Sequence, residues 1–332
     1  VGTNVLLSGD AGTNWSSIYT TINSANLILK HTPEISFTNE ATRSEVMANA
    51  YFLRAYCYFT LVRVFGDCPL LTSGFESEKQ EDMYPSRTAA SEVYAQVETD
   101  IEEALRLMPA SSKLLHKASP AAINMLRTEY YLWKAKRLGG GNAALSTAQS
   151  SVDAVLKAGY TLLPTFADIF NLNNEANSEL IWTLPYIVNE NVTPGTSPNF
   201  FAYYLAPNGD RTRLREAGYT EDEVPAGSHA QYVVPTQAYC DFLAEDARDT
   251  RTDVSVRVFE DKFLTEEVQI KRMVVKFKGS FANDTRSFDS DVPVYRLAEA
   301  YLLKAEVENA LGNTDAALQN LNVVAKRAYG VD

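Results

Sequence analysis

A six-residue phrase occurs three times in this chain and constrains its fold more than any other feature. It reads Ala50-Tyr-Phe-Leu-Arg-Ala55, then Tyr130-Tyr-Leu-Trp-Lys-Ala135, then Ala300-Tyr-Leu-Leu-Lys-Ala305. Each copy has an aromatic second, large apolar residues third and fourth, a cation fifth and Ala sixth. Around the first copy, Ala48, Phe52, Ala55, Phe59 and Val62 are spaced four, three, four and three, which is one stripe of a 3.6-residue helix. The second and third copies end in Gly-containing breaks, Leu138-Gly-Gly-Gly-Asn142 and Leu311-Gly-Asn-Thr-Asp315, and Ala-rich helical sequence follows each. Helix, short turn, helix, with small residues at the contacts, predicts tetratricopeptide-like (TPR) packing. The copies lie 80 and 170 residues apart, far from the spacing of about 34 of regular repeats. The repeats are therefore irregular and separated by insertions. The alternative is three unrelated buried helices that share common helix formers.

Charge narrows the function. With 42 acids against 30 bases the formal net charge is -12, which opposes a nucleic-acid partner, since phosphate binding needs a basic face. No apolar run reaches the length of about 18 residues that a membrane-spanning helix needs. The chain opens at Val1 with neither Met nor a charged-then-apolar leader, which reads as a processed or trimmed start. Cys57, Cys68 and Cys240 show no paired spacing; Cys57 falls in the first phrase helix and is expected in the core. Of 36 aromatic residues 18 are Tyr, a ring with an apolar face and a polar tip that suits half-wet contacts.

Taken in order, a helix is expected from about Asn14 to Lys30 and the first phrase helix from about Ala41 to Phe65, stopped by Gly66-Asp-Cys-Pro69. Another follows from about Ala89 to Leu107. Ser119-Pro120 supplies an N-cap with Pro in the first turn for the second phrase helix, and Asn142 opens its partner, which ends near Gly159. Residues 160–292 differ: prolines recur, helical period is lost, and short β-like runs appear at Glu179–Leu184 and Met273–Phe277. A loop-rich insertion of this size is where function is expected. The helical pattern returns at Val292, with a partner helix from about Thr314 to Ala328. The expected organisation is one domain over 1–332: TPR-like helices in 14–159, a loop-rich ligand-binding insertion in 160–292, and a returning helix pair in 293–329.

These residues together resemble the SusD/RagB family, surface glycan-binding lipoproteins of Bacteroidetes nutrient-uptake systems. Trp15, Tyr19, Ile22 and Asn26 look like the family's first helix. Glu45 through Leu70, with Phe-Leu-Arg-Ala and Phe65-Gly-Asp-Cys-Pro-Leu70, is similar to its most recognisable stretch. Arg87, Val93-Tyr94, Asp100-Ile101, Leu107-Met-Pro109, Tyr160-Thr-Leu162, Phe170 and Glu179-Leu-Ile181 follow in order. So do Pro235-Thr236, Phe242, Asp246-Ala-Arg248-Asp249, Pro293-Val-Tyr-Arg-Leu-Ala-Glu299, Asn322 and Arg327-Ala328, so the match covers about residues 14 to 329. The family's leader with its lipid-bearing cysteine is not in this sequence, and family members continue past the position of Ala328 with further helices.

No residue pattern announces catalysis. His31, His116 and His229 are far apart, and there is no HExxH, CxxC, acidic calcium loop, Gly-x-Ser-x-Gly elbow or phosphate loop. Gly139-Gly140-Gly141 lies between helices and reads as a turn. Paired carboxylates for glycoside hydrolysis are defined by distance in space, and this reading stays a runner-up that the resemblance lowers. Sugar binding asks for exposed rings that stack on C–H faces, with polar neighbours for the hydroxyls. Asn199, Phe200, Tyr203, Tyr204 and Arg211 supply that mixture within thirteen residues, against the alternative that these rings turn into the core. Phe75 and Tyr84 stand in a charged loop and are further candidates. By resemblance Asp10 and Asn14 are ligand-contacting, against a plain solvated loop. Trp182 is expected in the core, Trp133, Tyr51 and Tyr301 in helix packing, and Arg54, Lys134 and Lys304 solvated or paired with acids.

The resemblance implies a non-catalytic protein that captures a glycan without a cofactor or metal and passes it to a SusC-like TonB-dependent transporter. It places such a protein on the extracellular face of the outer membrane, held by a lipid anchor. A repeat-type scaffold that binds a protein or peptide segment is the alternative, and it expects the Tyr and cation positions of the phrase to line an exposed concave face.

Overall fold

The computed structural model describes residues 14–77, 85–187, 218–220, 234–261, 269–277, 279–282, 285–287 and 289–330. The chain divides into two compact units, Val1–Ala158 and Gly159–Asp332.

In the first unit, helices α1 (Ser16–His31), α2 (Glu40–Phe65), α3 (Ala90–Leu107), α4 (Pro120–Arg137) and α5 (Gly141–Leu156) pack each on its neighbour in sequence. The α2 stripe is buried as its spacing predicts: Ala48, Phe52, Ala55, Phe59 and Val62 all lie in the core. Tyr58 and Leu61, on its flank, are buried too, because α1 and α3 both pack on α2. Cys57 is also in this core, and burial pushes its thiol up to about 12. Boundaries follow capping chemistry. The Asn39 side chain accepts from Ala41 N and Gly66 ends α2 at φ 68°, a value that glycine adopts without steric cost. Ser119 accepts from Ala122 N, with Pro120 in the first turn of α4, satisfying one of the donors a helix start leaves open. Helix α1 begins two residues later than expected because Asn14 Oδ1 accepts from Ser16 N at 2.9 Å and so stands outside the helix. The α4–α5 turn needs Gly140, where a Cβ would lie 2.8 Å from Ala144 Cβ and 2.9 Å from Lys134 Cγ.

The cations of the phrase are ion-paired. Arg54 binds Asp100 through two nitrogens, at 2.7 and 2.8 Å, with both residues buried. Its third contact is Asn26 Oδ1 at 2.7 Å. Lys134 meets Glu98 at 2.7 Å, and Glu98 also accepts from Tyr130 and Tyr131. Lys304 pairs with Glu308 at 2.8 Å, one turn on. Trp133, Tyr51 and Tyr301 are half-buried, and Trp133 Nε1 donates to the Tyr94 hydroxyl at 3.0 Å. The phrase is thus a packing and pairing device in all three copies.

The second unit begins with two 3-10 turns, Ala167–Phe170 and Leu172–Asn174, and the strand β1 (Leu180–Leu184). Short helices α6 (Gln237–Ala244) and α7 (Thr252–Ser255) follow, then β2 (Val256–Asp261), β3 (Gln269–Val274), β4 (Ser280–Ala282), β5 (Thr285–Ser287) and β6 (Val292–Arg296). The unit closes with α8 (Leu297–Ala310) packed on α9 (Thr314–Tyr329). The strands pair antiparallel as β1–β6, β2–β3 and β4–β5. Trp182 is buried opposite Tyr295, with ring centroids 5.8 Å apart.

Two expectations need correction. The helical pattern does not resume at Val292: residues 292–296 are the strand β6, in register with Thr183 and Leu184. Pro293 biases its predecessor toward extended backbone, and α8 starts only at Leu297, whose N–H is taken by the Glu179 carbonyl at 3.0 Å. The β-like run at Met273–Phe277 also ends early. Strand β3 stops at Val274, Val275 N bonds to Ser255 O at 3.2 Å, and Lys276 and Phe277 leave the ladder.

Candidate functional site

Lys276 and Phe277 leave the strand to line an open cleft of about 760 Å³ within the second unit. That volume lies in the range of small-molecule sites. Among the described residues, short pieces of backbone build it: the two 3-10 turns with Asp168, Phe170, Asn171 and Asn173; Thr220; α7 with Asp253, running into β2 with Arg257; the exit of β3; the start of β4 with Gly279 and Ser280; and Ser290. Short elements suit this purpose, because each projects polar side chains from its ends while the sheets and the α8–α9 pair hold the frame.

The cleft combines apolar ring edges, amide and hydroxyl groups, and cations. Phe166, Phe170 and Phe277 form an edge-to-face series, with centroids 5.2 Å apart for the first pair and 5.3 Å for the second. Lys276 Nζ sits over all three rings, 4.6 Å from the Phe170 centroid, 5.2 Å from Phe166 and 5.9 Å from Phe277. Ring quadrupoles attract a cation at such distances. Burial pulls its ammonium down to about 8, with the positive charge of Arg296 adding to the effect. Arg296 and Arg327 also stand near Phe166, 5.9 and 5.7 Å from the centroid of that ring. These two arginines share the fully buried carboxylate of Glu179, at 3.2 and 2.9 Å. Glu179 also accepts from Leu163 N at 3.0 Å, so this carboxylate is committed to structure.

A second polar cleft, of about 630 Å³, lies in the first unit and is lined by Asn26, Lys30, Tyr51, Arg54, Ser73 and Gln96 among others. Its rim is the loop after α2, fastened to α1 by side-chain amides. Asn26 Nδ2 donates to Leu71 O at 2.9 Å and Ser73 O at 3.2 Å, and Asn23 bonds both backbone groups of Phe75. Gly74 admits no side chain there, since a Cβ would meet Leu27 at 2.7 Å.

Of the residues that the sequence nominates for ligand contact, two are described. Phe75 is half-buried in the fastened loop, and Asn14 is exposed and caps α1. Asp10, Tyr84, Asn199, Phe200, Tyr203, Tyr204 and Arg211 lie outside the described residues. Sequence reasoning passed over Lys276, Arg257 and Phe166. The signal for the first was present: a cation inside the apolar run Val-Val-Lys-Phe has no place in a buried strand and must find another partner. Among the described residues no group of three or more His, Cys, Asp or Glu is placed to hold a metal ion. No helix among them is long and apolar enough to cross a membrane.

Residues 4–131 match the model of a SusD-like family described as starch-binding and associating with the outer membrane. Residues 262–330 match the SusD family model. The chain belongs to the SusD/RagB family. Its relatives include SusD-like protein P25 of Formosa agariphila, 27% identical over 346 aligned residues that cover 95% of this chain and 62% of the relative. SusD-like protein P38 of the same organism is 28% identical over 331 residues, covering 93% and 61%. Among solved structures, B. fragilis NanU superposes with a TM-score of 0.78 at 27% identity, covering 96% of this chain and 64% of that one. A SusD superfamily protein from Bacteroides vulgatus also gives 0.78 at 27% identity, covering 96% and 66%. This SusD-like chain thus spans about three-fifths of the length of its curated relatives. Its mostly helical, TPR-like architecture is that of the SusD superfamily.

Proposed function

We propose that this chain serves in non-catalytic capture of an oligo- or polysaccharide at the outer face of the outer membrane, followed by hand-over to a SusC-like TonB-dependent transporter. The observation that supports this most is the pair of family matches in chain order, the first to a family described as starch-binding and associated with the outer membrane. The site's chemistry agrees with it. Amides and hydroxyls beside ring edges are what sugar hydroxyls and C–H faces require, and no cofactor is invoked. The proposal keeps Asn199, Phe200, Tyr203, Tyr204 and Arg211 as ligand contacts, keeps Phe75, Tyr84, Asp10 and Asn14 as further candidates, and places membrane attachment in a lipid anchor. The scaffold alternative needs the phrase cations to line an open groove. Their pairing with Asp100, Glu98 and Glu308 weighs against it.

Native affinity electrophoresis across plant, host and microbial polysaccharides, with an assay for new reducing ends, tests the reading. Retardation by one polysaccharide without cleavage is the expected result. Retardation with cleavage would make the protein a glycosidase, and no retardation by any polysaccharide would turn attention to peptides.

A further inference from the structure

Among the described residues, the cleft of the second unit carries two cations that no acid answers, while its acids are engaged or exposed. Arg257 and Lys276 line it. Near Phe166, Arg296 and Arg327 divide the single carboxylate of Glu179. Of the two acids on the lining, Asp168 already accepts from the Thr165 hydroxyl at 2.7 Å, and Asp253 lies exposed in the first turn of α7. Elsewhere the chain supplies an acid for each cation of its repeated phrase. Lys276 has three N–H donors, yet among the described residues its contacts are ring faces. Among the described residues, Arg257 Nε is buried with no hydrogen-bond partner. Holding such donors away from water without an acceptor is costly, and a neutral sugar gives only weak acceptors in return.

We propose that this cleft binds an oxyanion carried on a sugar, a carboxylate or a sulfate ester, through Lys276 and Arg257. Asn171, Asn173, Ser280 and Ser290 take the neighbouring hydroxyls. The proposal rests on the glycan-capture reading and sharpens it to acidic glycans. Net charge makes it discriminating: at -12 the chain as a whole repels polyanions, so acidic-glycan binding has to come from a local site. The pH dependence is likewise distinctive. Arg296 is the charge that acts on the ammonium; Asp168, Asp253 and Arg257 share the lining with it, Asp289 is bonded to Ser280, and Glu179, Arg327 and Glu299 surround Arg296. Among the described residues no ion pair joins Lys276 to an acid. Oxyanion binding therefore falls as pH rises through about 8, where an ordinary lysine keeps its charge to about 10.

Titration calorimetry at about pH 7 and about pH 9, the two sides of that transition, decides the matter with oligogalacturonate, dextran sulfate, neutral dextran and malto-oligosaccharide as probes. At least one acidic probe is expected to bind tighter than every neutral one by about tenfold, as charged hydrogen bonds allow, and to weaken at the higher pH. Binding of oligogalacturonate alone identifies a carboxylate, and of dextran sulfate alone a sulfate. Lys276→Met and Arg257→Gln should each reduce acidic-probe affinity by about tenfold, while Lys276→Arg retains binding and loses the pH dependence. Neutral probes binding as tightly as acidic ones would overturn the proposal and leave glycan capture standing. Acidic binding untouched by Lys276→Met and by pH would do the same. No binding of any probe would remove both. If Lys276→Met fails to fold, judged by its circular dichroism and melting, the pH dependence of the unaltered protein decides.

Discussion

Arg54 and Lys276 are both largely buried cations bordering the cleft of their own unit, and they are treated in opposite ways. Arg54 lies between helices and receives a bidentate carboxylate and an amide oxygen. Lys276 lies at the end of a strand and receives three phenylalanine rings and an open cleft. A cation closed off from solvent must carry its counter-charge with it, or the desolvation penalty is not recovered. A cleft-wall cation without such a counter-charge can be left for a ligand to complete. The difference separates a charge that specifies packing from one available for recognition.

The largest expected effect breaks the first arrangement. Arg54→Met leaves Asp100 buried without its partner and should cost about 3–5 kcal/mol in denaturant unfolding. Replacing both residues with apolar ones should cost much less, since no orphan charge remains. Lys276→Met should show the opposite behaviour, with stability held or raised. A loss as large as that of Arg54→Met would dissolve the contrast. Next, Tyr203→Ala or Tyr204→Ala should weaken glycan binding by roughly 1–3 kcal/mol, the loss seen when a stacking ring is removed from a nucleic-acid platform. Unchanged affinity in both would take that loop out of the site.

A pH series gives a smaller effect with a definite sign. The folded-state pKa of Lys276, about 8, lies below the ordinary lysine value of about 10.4. Between the two, the unfolded chain holds the proton more than the folded one does. Stability contributed by this group therefore rises with pH across that window. Thermal melts should show this rise in the unaltered protein and lack it in Lys276→Met. The smallest effect is a cap. Ser119→Ala should cost about 1 kcal/mol through the lost bond to Ala122 N, with no change in binding.

Much of the first unit is legible in the sequence, because its signals are local. Spacing of four and three places Phe52, Phe59 and Val62 in the core, and Asn39, Gly66 and Ser119 mark helix ends through groups within a few residues. The second unit is less legible, because its partners are distant. Val292–Arg296 reads as the start of a helix until β1, more than a hundred residues earlier, claims it. Glu179 meets Arg296 and Arg327 across 117 and 148 residues, separations that no periodicity encodes. The candidate cleft follows the same rule, since its lining runs from Ala167 to Ser290 through several short, separated segments.

By itself the sequence determined the repeated phrase, the helices that carry it, the caps that end them and the acidic balance of the chain. Helical period and capping act over one or two turns, and charge is additive, so each can be read without knowing the fold. Only tertiary structure decided which cations are answered. A guanidinium or ammonium is paired or left open according to which distant segment folds against it, and that is how Arg54 came to hold Asp100 while Lys276 came to hold only ring faces.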